Sequence, residues 1–598
     1  MHKFLSFIKE FKFPKKQELV NALASFSKKE FNIFIAIMVV AFLSMLIILD
    51  NLNSKFLVDV PMNGGSITEG IIGMPTLVNP VIALSDADKD LVSLVYSGLM
   101  RKNPDGSFIP DLAESYTISP DGLTYTFIIK KGSTFHDGTK VTADDIIFTI
   151  NKIKDPLIKS TQTGWNTVNV TKKDDRTVVF TLSKAYISFL DNMTIGILPM
   201  HIWQNTKESL FNISSFNTKA IGSGPYKVLS VSKDKDGIPN KYILKSFSNF
   251  TLGAPHISKL TIVSFSNEKD LVQALLNKTI DQAGGISSKN ASVFKKDSYS
   301  IHTAFTPRIF GLFYNSTNNK IFADSNVVKA FNYALNKKEI VDQVLYGYGT
   351  IINSPIPETI LKNDKNIDTD VDLDKANDLL TKSGWILGAD GIRTKGGTTT
   401  INKTTKVGKK TVTQKVTVNN GPVVRLGFSL VTGNTPELIH STEIIKEELG
   451  KIGVDVNIEK VYEMGPLNQV IQNREYEALF FGQKISHESD LFSFWHSSQT
   501  KNPGLNISMY SNSKVDKILE DAQKTIVADK RNDEYKIFIE EFNKDLPALL
   551  IYSPKYLYVT SNELNNINLD SLINPADRFA SIYTWYANKD HVWKIFTK

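Results

Sequence analysis

Side chains that could carry out catalysis occur singly along this chain and not in catalytic arrangements. The nine histidines never stand three or four residues apart, so no helix would bring two imidazoles to one metal ion. His487-Glu488 lacks the second histidine of a zinc-protease motif, and residues 408–411 (Gly-Lys-Lys-Thr) lack the upstream glycine of a phosphate-binding loop. No nucleophile elbow, dinucleotide glycine pattern or cysteine occurs. The sequence therefore predicts a protein that is not an enzyme, with no catalytic residue, metal or cofactor.

An adjacent pair of carboxylates, Asp144 and Asp145, follows Thr142 and precedes an apolar run that begins at Ile146. A threonine just before a helix and an acidic residue three positions later bond to each other's free backbone N–H groups. Carboxylates in the first helical turn also interact favourably with the helix dipole. We therefore interpret this pair as a helix start and not as a catalytic acid pair.

The net charge of +7 is concentrated in two short segments. Residues 1–31 hold seven lysines against three glutamates, and residues 389–421 hold seven lysines and arginines against one aspartate. The remaining residues together carry a charge of about −3. Because a nucleic-acid-binding protein concentrates basic residues on its binding face, nucleic acid is not an expected partner of the main body.

A stretch of about 19 uncharged residues, Phe31–Leu49, has the composition of a membrane-spanning helix. At 1.5 Å per residue it nearly spans the roughly 30 Å hydrocarbon core of a bilayer. Lysines precede it and Asp50 follows, so residues 1–30 should remain cytoplasmic and the rest should lie outside. A cleaved signal peptide is the alternative, but residues 46–50 contain no small-x-small cleavage pattern. We therefore predict an uncleaved signal anchor. A buried core helix is the weaker alternative, because the segment is apolar on every face.

Patterning in the rest of the chain alternates between strands and helices, which predicts the mixed α/β class. Residues 389–421, rich in Thr, Lys and Gly, predict an exposed hairpin or flexible insertion. The predicted strands are 123–129, 178–182 and 227–232, and the predicted helices are 86–99, 327–335, 338–346, 437–452 and 514–527.

Several short motifs also follow one another in a particular order. They are Gly73 to Pro80 (GMPTLVNP), Tyr96 to Leu99 (YSGL), Pro110 to Tyr116 (PDLAESY), Phe135 to Gly138 (FHDG), Val141 to Asp145 (VTADD), Gly222 to Tyr226 (GSGPY), Phe492 to Ser498 (FSFWHSS) and Pro503 to Asn506 (PGLN). Their number and order over about residues 64–590 resemble the dipeptide- and oligopeptide-binding proteins of ABC importers, extracytoplasmic solute-binding protein family 5.

The resemblance implies a periplasmic-binding-protein-like fold of type II, in which two lobes close over a ligand like a flytrap, with an extra small domain. The first lobe would be discontinuous, comprising residues 62–103, 220–306 and 550–590. The small domain would take 104–219 and the second lobe 307–549, with hinges near residues 306 and 550. The implied partners are a peptide ligand and ABC permease and ATPase subunits. A monomer with its binding domain outside the cell membrane, periplasmic or at the cell surface, is expected.

In the family, an aspartate of the second lobe holds the peptide amine. The matching position falls near Ile485 or Ser486, and neither is acidic. Glu488 or Asp490 could substitute after a loop shift, or the ligand could lack a free amine. Asp490 could equally cap the helical turn that follows it.

Further binding candidates come from the same alignment of motifs. Arg308 could meet a carboxylate bidentately or form a surface salt bridge, and Trp495 could stack on a ligand or belong to the core. The complete predicted set is Gly73, Met74, Pro75, Arg308, Tyr314, Asn315, Gly482, Gln483, Lys484, Glu488, Asp490 and Trp495.

Three other functions stay open at this level. The ligand could be another solute, such as a nickel or haem chelate or a sugar. The chain could be a sensor or adhesion protein that has kept the fold. A hydrolase would require a nucleophile or a metal triad in the cleft between the lobes.

Overall fold

The computed structural model describes residues 15–185, 188–294, 298–362, 370–407, 410–419, 421–525, 527–593 and 595. The chain divides into two compact units, one formed by residues 1–62 with 588–598 and the other by residues 63–587.

The smaller unit contains the predicted anchor. Helix Lys16–Ala24 precedes helix Lys28–Phe56, whose start is capped by Ser27 and Glu30. Residues Lys28–Asn53 of the second helix are long and apolar enough to cross a membrane, and within the described chain no other helix is. The helix continues into strand Leu57–Met62, which pairs antiparallel with strand Asn588–Trp593.

The larger unit is built on two large sheets, of which the first has seven strands. Strand Ser66–Ile72 lies inside this sheet and pairs in parallel with both of its neighbours. Helices Asp86–Val95, Glu268–Leu276 and Ser288–Ala291 belong to this part of the fold. The strand order is Tyr299–Ala304, Tyr556–Ser561, Gln282–Gly284, Ser66–Ile72, Lys259–Phe265, Pro239–Ser246 and Tyr226–Lys233.

A smaller antiparallel sheet is inserted between segments of the first large one. Its order is Ala113–Ile118, Thr124–Ile129, Thr177–Leu182 and Val168–Asp174, and Met100–Lys102 pairs with Phe108–Pro110 beside it. The helices of this region are Ala143–Lys154, Phe189–Asn192 and Met200–Trp203, with 3₁₀ turns at Glu208–Ile213 and Ser215–Asn217. The predicted start of the first helix is confirmed, because the Asp145 carboxylate accepts the Thr142 N–H at 2.9 Å.

Two of the motifs meet between the small sheet and the first large sheet. The His136 imidazole contacts the Gly224 carbonyl through Nε2 at 3.0 Å and accepts the Gly222 N–H through Nδ1 at 3.3 Å. Gly224 in turn donates its N–H to the Val95 carbonyl at 2.8 Å. A β-carbon on Gly224 would stand 2.6 Å from the Val95 carbonyl carbon, so this approach requires glycine.

The second large sheet has six strands, and most of the long helices of the larger unit belong to the same part of the chain. The helices are Ser325–Ala334, Lys337–Val344, Leu373–Lys382, Pro436–Gly450, Met464–Asn473, Asp490–Trp495, Ser513–Ala522 and Ala528–Asp545, with 3₁₀ turns at Lys320–Ala323 and Ser497–Gln499. The strand order is Gly349–Ile351, Ala548–Pro554, Arg308–Tyr314, Ala478–Lys484, Gly427–Gly433 and Asp455–Tyr462. Four of these helices were predicted, and three of them match the predicted ranges to within a few residues. The fourth, predicted for residues 514–527, ends at Ala522.

Residues 389–421 were predicted to form an exposed hairpin or flexible insertion, and the first residues of this segment do not fit that prediction. Strands Thr398–Val407 and Lys410–Asn419 pair antiparallel, as a hairpin would. Strand Arg393–Lys395 instead pairs with Ile386–Leu387 and Val424–Arg425. The Arg393 side chain is 5% exposed and donates to the carbonyls of Trp385 and Ile452. Arg393 is therefore a structural residue and not part of an exposed segment.

The chain crosses from the first large sheet to the second at residues 305–307 and returns at Lys555. The Thr306 hydroxyl donates to the Pro554 carbonyl at 2.7 Å, which joins the two crossing segments. Residues 550–554 thus lie in the second sheet, although the sequence assigned them to the first lobe. The crossings lie at residues 305–307 and at Lys555, and hinges near residues 306 and 550 stay a prediction.

Candidate ligand-binding cleft

A cleft of about 740 Å³ lies beside these crossings and receives residues from both sides of them. Helix Ser288–Ala291 and the residues before it contribute from the first side, and Lys555 lies at the return crossing. The second side contributes the start of helix Pro436–Gly450, the end of helix Lys337–Val344 and the strands Arg308–Tyr314 and Ala478–Lys484. This volume falls within the range of small-ligand sites in proteins.

Four predicted residues, Arg308, Gly482, Gln483 and Lys484, line the cleft. They lie on two adjacent antiparallel strands, in which Arg308 is directly opposite Lys484 and Phe310 is opposite Gly482. A β-carbon on Gly482 would stand 2.5 Å from the Phe310 ring. Glycine therefore lets this ring lie flat across the strand, where it stacks on Tyr552 at a centroid distance of 5.0 Å. The two aromatic rings form an apolar part of the cleft wall.

Gln483 lines the cleft, but its side chain points away from the strand face that carries Gly482 and Lys484. Its side chain is only 5% exposed, and its Nε2 donates to the Leu505 carbonyl at 3.4 Å. Its Oε1 has no hydrogen-bond partner within the described residues. This oxygen is enclosed by protein, so a ligand in the cleft does not reach it.

The structure places six predicted residues away from the cleft. Trp495 is 1% exposed and packs against Phe313 and Phe542, so its ring offers no face to a ligand, which corrects the stacking interpretation. Tyr314 and Asn315 are likewise buried, the first in the core of the second sheet. The Gly73, Met74 and Pro75 backbone follows the first strand, where the Pro75 carbonyl accepts the hydroxyl of Tyr242.

The loop expected to hold an amine is occupied by its own contacts. Ile485 is fully buried and donates its N–H to the Pro307 carbonyl. The Asp490 carboxylate accepts the backbone N–H groups of Ser486 and His487 at 2.9 and 3.0 Å. Asp490 is also the first residue of its helix and not the cap, which is Ser489. This carboxylate therefore stabilises the loop that precedes its helix.

Glu488 is held by a buried cation. The Arg531 guanidinium is 6% exposed and donates to both carboxylate oxygens of Glu488, one of them at 3.3 Å. Neither Glu488 nor Asp490 lines the cleft in this structure, so the proposed substitution by loop shift has no support in the geometry.

Four ionisable residues of the cleft were missed by sequence reasoning: Lys289, Lys555, Glu437 and His440. Glu437 and His440 belong to a helix that was predicted, but a helical pattern does not show which turn faces a cleft. Glu437 lies in the first turn, and within the described chain its carboxylate has no ion-pair partner.

The family assignment follows from comparison with known proteins. Residues 107–504, about two thirds of the chain, match the family described as bacterial extracellular solute-binding proteins, family 5 Middle. The oligopeptide-binding protein AppA of Bacillus subtilis is 30% identical over 522 residues, which cover 84% of this chain and 89% of AppA. The chain belongs to family 5 of the bacterial extracellular solute-binding proteins.

Solved structures also superpose on most of this chain. AppA of Bacillus subtilis in complex with a nonapeptide is 26% identical, with a TM-score of 0.60 and coverage of 88% of this chain and 100% of AppA. NikZ of Campylobacter jejuni in complex with Ni(L-His) is 27% identical, with a TM-score of 0.63 and coverage of 87% and 99%. The predicted periplasmic-binding-protein-like fold is confirmed. As a family 5 member the chain is a solute-binding protein of the ABC importer type and not an enzyme, as predicted.

Proposed function

We propose that this family 5 protein captures peptides outside the cytoplasmic membrane and delivers them to an ABC permease with its ATPase subunits. The cleft wall, on which stacked aromatic rings lie beside charged side chains of both signs, is the observation that supports a peptide most directly. A peptide supplies charged termini for the charged side chains and its own side chains for the apolar surface. AppA, the relative described above, is an oligopeptide-binding protein by its name.

Glu437 would hold the amino terminus of the peptide. It is the single carboxylate among the described residues that line the cleft, and the usual position near Ile485 is apolar and buried. An ammonium group would gain a charge-assisted hydrogen bond there, which is stronger than a neutral one.

Helix Lys28–Phe56 would hold the protein at the membrane, with the Lys-rich amino terminus in the cytoplasm. The cell would then carry the unprocessed chain as a single-pass monomer. Intact mass measurement of the protein purified from membranes tests this directly. A mass that lacks the first 50 or so residues would identify a cleaved signal sequence instead.

Native mass spectrometry of the full chain, released from detergent, is the test of ligand class. We expect co-purified peptides, and a melting temperature that rises on adding them back. A ligand at a hundredfold excess over Kd stabilises a protein by about 2.7 kcal/mol. A nickel–histidine complex as the bound species, or no peptide from a broad library, would contradict the proposal.

A further inference from the structure

The cleft has an excess of positive charge. Lys289, Arg308, Lys484 and Lys555 line it, and Glu437 is the one carboxylate facing them among the described lining residues. His440 also lines the cleft and is not counted among the cations. The chain outside its two basic segments carries a charge of about −3, so this excess is a local property of the cleft.

Two of these cations oppose each other across adjacent strands. Arg308 and Lys484 are register partners, and residues directly opposite in an antiparallel pair have β-carbons about 4.5–5.5 Å apart. Like charges in this arrangement destabilise a sheet. Partial burial lowers the pKa of Lys484, Arg308 and Lys89 lower it further, and Asp86 and Asp577 oppose them without reversing the shift. The pair therefore lacks sufficient counter-charge.

The partners of these cations are neutral. The Lys484 ammonium donates to the side-chain oxygen of Asn574 at 3.2 Å, and the Lys555 ammonium lies 5.6 Å from the centre of the Phe305 ring. Within the part of the chain that the structure describes, none of the four cations forms an ion pair. A cleft wall of one charge sign concentrates the field and attracts ligands of the opposite sign.

We propose that the cleft selects anionic peptides, in which side-chain carboxylates outnumber amines and supply the missing counter-charge. This inference rests on the proposed peptide-binding function and specifies its ligand class. Arg308 is the first candidate for a bidentate contact, because its guanidinium forms no hydrogen bond in the described structure and matches the geometry of a carboxylate. Glu437 would hold the amine of the same peptide.

Calorimetric titration of the full chain with three peptides of equal length tests the inference. The peptides have free termini and differ only in carrying glutamate, glutamine or lysine side chains. We expect the acidic peptide to bind at least about tenfold more tightly than the neutral one, the size of one charged hydrogen bond. The basic peptide should bind most weakly. The advantage of the acidic peptide should shrink as salt rises from 0.05 to 0.5 M, approximate concentrations over which screening strengthens.

Substitutions separate a specific site from general electrostatics. Arg308→Gln and Lys484→Gln should each weaken the acidic peptide about tenfold and change the neutral peptide less than about twofold. Lys259→Gln removes an exposed lysine from a strand of the first sheet, outside the cleft, and should leave all three affinities unchanged. Because Arg308→Gln removes one of two facing cations, the ligand-free variant should melt at or above the wild-type temperature.

The possible results distinguish a failure of the anionic preference from a failure of peptide capture. If all three peptides bind equally, the anionic preference is wrong and peptide capture stands. If none binds, peptide capture itself is wrong. A simple dicarboxylic acid that binds as tightly as the acidic peptide would overturn the role of the peptide backbone. Loss of affinity in Lys259→Gln equal to that in Arg308→Gln would show long-range attraction without a site.

Discussion

Arg578 donates two hydrogen bonds of 2.7 Å to the two carboxylate oxygens of Asp90, and both side chains are buried. The same guanidinium donates to Glu69 at 2.9 and 3.0 Å, and Glu69 also accepts the Tyr558 hydroxyl. This network joins the first strand and first helix of the larger unit to a segment some 500 residues later. The network therefore holds both ends of the larger unit together at the first sheet.

We expect Arg578→Met to destabilise the protein by about 3–5 kcal/mol, because it leaves two buried carboxylates without a cation. Chemical denaturation of wild type and variant measures the loss. Lys338→Gln removes an exposed lysine that pairs with Asp342 and should change stability by less than about 1 kcal/mol. A similar small effect for Arg578→Met would show that the network contributes little.

Gly224→Ala should destabilise the first sheet. The added β-carbon would meet backbone atoms of Val95 and Tyr96 at 2.6 and 2.7 Å, and backbone cannot move aside as a flexible side chain can. Overpacking of this kind costs about 1–3 kcal/mol. The control is Gly450→Ala at the exposed end of helix Pro436–Gly450, where nothing lies within 4 Å of the new carbon. That variant should change the stability by no more than about 1 kcal/mol, because alanine is accommodated there without crowding. Thermal unfolding of both distinguishes crowding from a general glycine effect.

The stability of the protein should rise between pH 4 and 6.5 through His136. Burial lowers the pKa of this imidazole to about 4, although its hydrogen bond to Gly224 opposes the shift. In that pH window the unfolded chain binds a proton that the folded chain does not, so the free energy of unfolding increases with pH. The expected gain is up to about 3 kcal/mol.

His136→Asn should flatten this part of the pH–stability profile, measured by denaturation at several pH values. His256→Asn, which changes a partly exposed ring bonded to Asn63, should keep the wild-type slope. An unchanged slope in His136→Asn would assign the pH dependence to other groups.

Glu437→Gln should weaken peptides with a free amino terminus about tenfold, the size of a charged hydrogen bond. The same peptides with an acetylated amino terminus should bind wild type and variant equally. Glu443→Gln, an exposed position on the same helix, is the matched control. If acetylation has no effect on binding to the wild type, the cleft does not recognise a free amine, and the role of Glu437 is wrong.

A weaker pH dependence should come from His487. Its Nδ1 lies 3.7 Å from the Asp191 carboxylate, which Lys102 also contacts at 3.2 Å. The neighbouring Asp191 carboxylate raises the pKa of His487, and Asp490 adds to this, while burial and Lys102 oppose it. The stabilisation is therefore complete below about pH 6.5 and is lost as the pH rises through the higher folded value.

The expected loss from pH 6 to 8 is only a fraction of 1 kcal/mol, because His487 is partly exposed and its ion pair is screened. His487→Gln should remove this small decrease in melting temperature. A variant that keeps the decrease would place its origin elsewhere.

The sequence showed more of the fold than of the binding site. Motif order was sufficient to identify the two-lobe architecture, and the helix start at Thr142 followed from local chemistry alone. Helix Ala528–Asp545 was missed, although Arg531, Tyr535, Phe538 and Phe542 are its buried residues at helical spacing. Charged residues are so frequent in this segment that its apolar face was not recognised from the sequence.

What the sequence determined by itself is local: the apolar N-terminal helix, the helix caps, the family motifs and the absence of enzyme signatures. Only the tertiary structure decided that Trp495 lies in the core, that Glu488 is paired with Arg531, and that Arg308 faces Lys484. Caps and membrane-spanning stretches depend on neighbours within a few residues, which a sequence displays directly. A cleft brings together residues as distant as Lys289 and Lys555, and their shared charge exists only once the strands are paired.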